Sequence, residues 1–170
     1  MRIRRLLRHS LTTHLGTRRK FPGATLDAIE RAIKSTEAAH GGEIRFAIET
    51  ALSPLHVLND LDPRSRALDV FGQLRVWDTA DNNGVLIYVQ MADRHVEIVA
   101  DRGFGDRVSP QEWEAVCRLM QDHYRAGRFQ AGSIAGVEAV GDLIARHFAS
   151  SDRGRAAPAR NRLPDRPTLL

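Results

Sequence analysis

A single cysteine in 170 residues excludes an internal disulfide framework and any cysteine-rich zinc site. Cys117 falls at helical spacing with Trp113, Val116, Met120 and Tyr124, and the sequence places no histidine beside it. It reads as a buried structural thiol rather than a nucleophile. No stretch is long and apolar enough to span a membrane. The seven histidines form no HExxH, HxH or other close metal spacing, which argues against zinc. The chain also lacks GxSxG, a phosphate-cradling P-loop and the CxxxxxR loop of cysteine phosphatases, and Gly103-Phe104-Gly105 is too short for a nucleotide fingerprint. Acid is missing from one region: residues 1–20 hold seven Arg or Lys and no Asp or Glu.

That local absence explains the overall charge. Residues 150–170 carry five Arg and two Asp, which leaves 13 bases and 19 acids for residues 21–149. The middle of the chain is therefore acidic, although the whole carries +4. With the bases at the termini and no nucleic-acid motif beside them, no dedicated nucleic-acid function is expected. Arg2, Arg4, Arg5 and Arg8 start the chain as a signal peptide would, but no continuous apolar segment follows, so secretion by that route is not expected. Ile3, Leu6, Leu7, Leu11 and Leu15 instead recur near helical period between basic residues. This suits a helix lying on an anionic membrane surface, and it equally suits a basic arm that is frayed or packed on its own domain. A cytoplasmic protein, peripheral at the inner membrane face, is the matching expectation for location.

Three regions follow: a basic amphipathic or flexible arm over 1–20, one α/β domain over 21–149, and an Arg/Pro-rich tail over 150–170 read as disordered. Within the domain, Leu26, Ile29 and Ile33 mark a helix from Ala24 to Ala39, stopped by His40-Gly41-Gly42. Glu43 to Thr50 alternates and reads as a half-exposed strand with Glu43 on its solvated side. A short helical turn is expected at 55–58. Leu68, Phe71 and Leu74, with Val70 and Trp77, outline an amphipathic helix from Arg64 to Trp77. Val85–Val89 and Val96–Ala100 are apolar runs joined by Met91–His95, short enough for a hairpin, and Glu97 points away from the core between Val96 and Ile98. Ser109-Pro110-Gln111-Glu112 combines a capping box with an N1 proline and starts a helix running to about Arg125. A last helix, 130–147, is expected to bury Ile134, Val137, Val140, Ile144 and Phe148. The order predicts an α/β fold: a three-layer α/β/α sandwich with a small mixed β-sheet.

The most informative stretch is Asp81-Asn82-Asn83-Gly84, a polar turn entering Val85-Leu86-Ile87. Asp81, Asn83, Asp93 and Asp101 form a candidate set of oxygen ligands for a hard cation, Ca2+ or Mg2+. Asp81 or Asp101 is a candidate catalytic carboxylate, with Arg94 or Arg102 clamping a phosphoryl group. The plainer alternative is that Asp and Asn cap turns by bonding their own backbone.

Gly42-Glu43-Ile44, Asp81–Ile87 and Asp93-Arg94-His95-Val96-Glu97-Ile98, followed by Tyr124–Phe129, Ala131-Gly132 and Gly136-Val137, together resemble the TPM domain over roughly residues 21–148. The resemblance implies an α/β sandwich. Members occur in the thylakoid lumen in support of photosystem II repair, in bacterial envelopes, and as receptor accessories in animals. Acid-phosphatase activity and calcium binding have both been attributed to the family. Many members carry a signal peptide and a C-terminal membrane helix, and this chain resembles a short variant with neither. Asp101-Arg102-Gly103 departs from the commoner Gly-Tyr-Gly and adds charge. Two functions stay open: a non-enzymatic accessory module that binds a protein partner or the membrane surface, and a metal-assisted phosphatase acting on phosphomonoesters.

Overall fold

A computed structural model describes residues 2–105, 107–148 and 162–170. Its elements run α1 (Arg2–Leu11), α2 (His14–Lys20), α3 (Gly23–His40), β1 (Glu43–Glu49), α4 (Pro54–Leu58), α5 (Pro63–Gln73), β2 (Gly84–Gln90), β3 (His95–Ala100), α6 (Pro110–Arg125), α7 (Phe129–Phe148) and β4 (Thr168–Leu169). The sheet order is β3-β2-β1-β4. β1 lies parallel to β2, an arrangement that requires a crossover, which α4 and α5 supply. β2 and β3 form the expected antiparallel hairpin, with Ile87 opposite Ile98.

Period-two alternation sets the layers. Ile44, Phe46 and Ile48, with Val85, Ile87, Val89, Val96 and Ile98, face α3, α6 and α7 and make the larger core. Ala47, Leu86, Tyr88 and Val99 face the opposite way, against Ala67 and Val70 of α5. The fold is α/β with helices on both faces of a small mixed sheet, as expected. The capping box is present: Ser109 Oγ accepts from the Glu112 backbone N–H, and the Ser109 N–H donates to Glu112 Oε2 at 2.9 Å. Gly41, left-handed at φ 71°, ends α3.

Four expectations change. α5 stops at Gln73 and turns Ala67 and Val70 inward, leaving Leu68 and Trp77 about half exposed. In α7, Leu143 joins Val137, Val140 and Ile144 in the core, while Ile134 is only partly buried. β1 is buried along its whole length rather than half exposed, including Glu43, Arg45 and Glu49. The covering over those charged residues is the fourth change. Residues 162–170, expected to be disordered, lie along β1, with Leu163 buried and Thr168 and Leu169 pairing in parallel with Ala47 and Ile48. Residues 150–161 of that tail, and the side chain of Phe148, lie outside the described residues.

The physical reason lies in how β1 meets this segment. Glu43 Oε2 accepts the backbone N–H groups of Arg162 and Leu163, both at 2.8 Å. Arg45 donates to the Pro164 and Arg166 carbonyls and to Thr168 Oγ1. Glu49 is clamped by Arg66, at 2.8 Å from Nη2, and accepts the Tyr88 hydroxyl proton. Buried charges persist where hydrogen bonds compensate their burial: the C-terminal segment supplies most of these to Glu43 and Arg45, and Arg66 and Tyr88 supply them to Glu49.

Candidate functional site

The hairpin determines which candidate residues can meet. Asp81, Asn83 and Asp101 stand where β2 begins and β3 ends, whereas Asp93 and Arg94 stand at the hairpin turn. A strand of this length, at ~3.3 Å per residue, puts roughly 20 Å between the two ends. The four-ligand set is not brought together, and Arg94 is separated from Arg102 in the same way.

At the first end, the two loops are tied by their backbones. Asp101 N–H donates to the Gly84 carbonyl and Gly103 N–H to the Asn82 carbonyl, both at 2.9 Å. A Cβ on Gly103 would come within 2.3 Å of Asn82 O and 2.8 Å of Asp81 O, so only glycine allows this approach. Asn82 adopts a left-handed conformation (φ 52°), and its Oδ1 accepts from Arg102 Nε at 2.9 Å. Asn83 has a structural role: its side-chain amide donates to the Gly41 carbonyl at 3.0 Å, and its backbone N–H is held by Thr79 Oγ1. Asp101 Oδ1 accepts from the Arg102 N–H at 2.7 Å, while Oδ2 is buried with no hydrogen-bond partner among the described residues. Among the described residues, no group of three or more His, Cys, Asp or Glu side chains is placed to hold a metal ion. The four oxygen ligands read from the sequence, Asp81, Asn83, Asp93 and Asp101, therefore do not form one cage.

At the other end, Asp93 belongs to the N-terminal arm. Arg5 donates to its Oδ2 from Nε at 3.1 Å and from Nη2 at 2.8 Å, and Arg8 pairs with Oδ1. His9 Nε2 lies 3.1 Å from Oδ2, while its Nδ1 accepts the Leu52 N–H. Burial alone would raise the Asp93 carboxyl; Arg5 and His9 outweigh it and hold the group below the ordinary carboxylate range. One indirect signal of these partners is visible in the composition: an acid-free basic arm beside an acidic domain.

Docked this way, α1 presents its basic side to the domain and its apolar side to solvent. Arg5 and His9 turn inward, while Ile3, Leu7 and Leu11, with Leu15 on α2, are 75, 56, 79 and 61% exposed. α4, which packs against α1, adds exposed Leu55 and Leu58. Arg4, Arg8, Arg18, Arg19 and Lys20 are exposed on the same arm.

A groove of about 810 Å³ runs between the free edge of β3 and α6, lined by Ile98, Phe104, Trp113 and Cys117 among others. Burial pushes the Cys117 thiol up to about 12, in keeping with an inert structural role. Glu97 is paired as expected of an outward-facing carboxylate, with His95 Nε2 at 2.7 Å and Arg64 at 3.5 Å. Arg64 also caps the Ile98 carbonyl on that edge.

Comparison with known proteins fits this architecture. Residues 20–143 match the TPM domain. The fold is similar to that of the BA42 protein from the psychrophilic bacterium Bizionia argentinensis, with 30% identity, a TM-score of 0.71, and coverage of 86% of this chain and 93% of that one. The N-terminal domain of a protein from P. gingivalis shares the fold at 20% identity and a TM-score of 0.56, over 75% of this chain and 78% of that one. No curated protein matches. The chain belongs to the TPM domain family. No helix among the described residues is long and apolar enough to cross a membrane.

Proposed function

We propose that this TPM-domain protein is a non-enzymatic accessory module that docks on an anionic membrane surface through its N-terminal arm. The supporting observation is the orientation of α1. A surface helix ordinarily buries its apolar stripe against the core. Here the stripe of Ile3, Leu7 and Leu11 faces outward because Arg5, Arg8 and His9 are drawn to Asp93. Exposed apolar residues on an arm that also exposes Arg4, Arg18 and Arg19 suit an interfacial helix: the leucines enter the acyl boundary, and each cation near an anionic surface contributes about 1 kcal/mol. The acidic body stays away from the lipid.

The test is co-sedimentation of the full chain with vesicles. Binding is expected to phosphatidylserine-containing vesicles and not to pure phosphatidylcholine, to weaken with salt, and to be lost in Leu7→Glu/Leu11→Glu. Equal partitioning of the wild type and that variant would sink the proposal.

A second reading rests on Oδ2 of Asp101, buried and with no hydrogen-bond partner among the described residues. It puts a largely hydrated divalent cation beside Asp101. Calcium and magnesium titrations followed by NMR test it; unmoved amides over 81–84 and 101–105 would remove it.

A further inference from the structure

The C-terminal segment is held on β1 by contacts unlike those of the rest of the core. Two charged side chains of β1, Glu43 at 4% and Arg45 at 7% exposure, spend their hydrogen bonds almost wholly on main-chain atoms of the segment. Glu43 takes two successive N–H groups, and Arg45 gives to two carbonyls and one threonine hydroxyl. The backbone ladder then continues, with Leu170 N–H to the Ile48 carbonyl at 2.8 Å and Thr50 N–H to the Leu170 carbonyl at 3.2 Å. Side-chain readout is limited to a few positions. Leu163 fills a pocket of Ala47, Ala67, Val70 and Tyr88, and Arg166 pairs with Asp27 at 2.7 Å and Glu30 at 3.1 Å on α3.

A permanent core strand would be held as well by apolar residues, since replacing buried charge with well-packed hydrocarbon is often neutral or stabilising. Main-chain hydrogen bonds for affinity, with pockets at intervals for specificity, are how sheet edges bind extended peptides. Thirteen residues, 149–161, separate the segment from α7.

We propose that the outer edge of β1 is a peptide-binding groove, filled in cis by residues 162–170, whose external ligand is an extended peptide with an apolar residue followed three positions later by arginine. Charge selects that class: Asp27 and Glu30 stand at the arginine position, and the surrounding domain holds 19 acids against 13 bases. The ligand is a segment of a partner protein that competes with the chain's own tail.

The experiment uses the full chain and a fluorescein-labelled ten-residue peptide with the sequence of residues 161–170. In the wild type, the tethered tail competes at a millimolar effective concentration, so peptide binding is weak. Arg166→Glu alters an exposed side chain and turns the tail against Asp27 and Glu30 without touching the core. It is expected to open the groove and raise peptide affinity at least about fivefold, measured by anisotropy. Leu163→Ala opens it by a second route. Asp27→Ala/Glu30→Ala added to either chain weakens the peptide again. Absence of saturable binding to both opened chains, each showing a cooperative thermal transition, overturns the proposal. So does binding indifferent to Asp27→Ala/Glu30→Ala. Concentration-dependent dimers of the unmodified chain would assign the groove to a second copy's tail and overturn the partner-peptide assignment.

Discussion

Both ends of this chain are basic, and both lie on an acidic domain, yet they are held by opposite means. The N-terminal arm docks with charge: Arg5, Arg8 and His9 converge on Asp93, and the leucines are left outside. The C-terminal segment docks with backbone and hydrocarbon: Leu163 goes inside, Glu43 and Arg45 hold the main chain, and Arg166 stays exposed at its surface pair. Similar composition therefore does not imply similar use. One end leaves its apolar surface in solvent, and the other buries its apolar residue against the sheet.

The largest expected effect comes from breaking the charged anchor. Asp93→Asn leaves Arg5 and His9, both mostly buried, without their anion, and loss of one partner from such a group costs about 3 kcal/mol. Urea unfolding should show that loss, and trypsin should cut within residues 2–20 well before the body. An unchanged arm in Asp93→Asn would mean that α1 is held by α4 instead. The apolar anchor at the other end ranks next. Leu163→Ala removes a side chain only 6% exposed and is expected to cost about 2 kcal/mol, with trypsin sensitivity appearing at Arg162 rather than in the arm.

This contrast was only partly legible in the sequence. The hairpin could be read because a polar turn, two apolar runs and a short connector all agree, and α6 because Ser109, Pro110 and Glu112 fix its start locally. The grouping of Asp93 with Asp81 and Asp101 ignored the length of β2, which carries its two ends far apart. Glu43 and Arg45 alternate with Ile44, Phe46 and Ile48, and alternation is the mark of a half-solvated strand. Their burial depends on a segment about 120 residues further along the chain, which no local pattern encodes. The spacing of the α1 leucines marks one stripe, but the side of the molecule it faces is decided by a distant aspartate.

pH should separate the two ends in opposite directions. Asp93 is held below its ordinary value, so its contribution is complete above about 3.8 and is lost as pH falls through the native value. At the other end, burial raises the Glu37 carboxyl to about 8, assisted by the Asp165 and Glu43 charges and opposed by the hydrogen bond from the Ile44 N–H. A raised carboxyl contributes stability that is complete below 4.5 and drains away as pH climbs through 8. His40, lowered by burial to about 4, adds a loss between 6.5 and 4 on the acid side. Between pH 6.5 and about 8, Glu37 therefore dominates: the wild-type Tm should decline with rising pH, and the Glu37→Gln profile should be flat. A parallel decline in Glu37→Gln would place the titrating group elsewhere.

The smallest effect on stability is the most discriminating for function. Leu11 is 79% exposed, so Leu11→Ser removes a side chain that folding does not bury, and stability should move by no more than about 0.5 kcal/mol. The same substitution takes three carbons from the face proposed to enter lipid, at about 0.8 kcal/mol per buried CH₂, and vesicle affinity should fall at least tenfold. Leu163→Ala should show the reverse, with stability reduced and vesicle affinity unchanged. If Leu11→Ser instead destabilises the chain as much as Leu163→Ala does, the stripe is part of an internal or self-associated core. The arm would then differ from the tail in its anchor but not in its purpose.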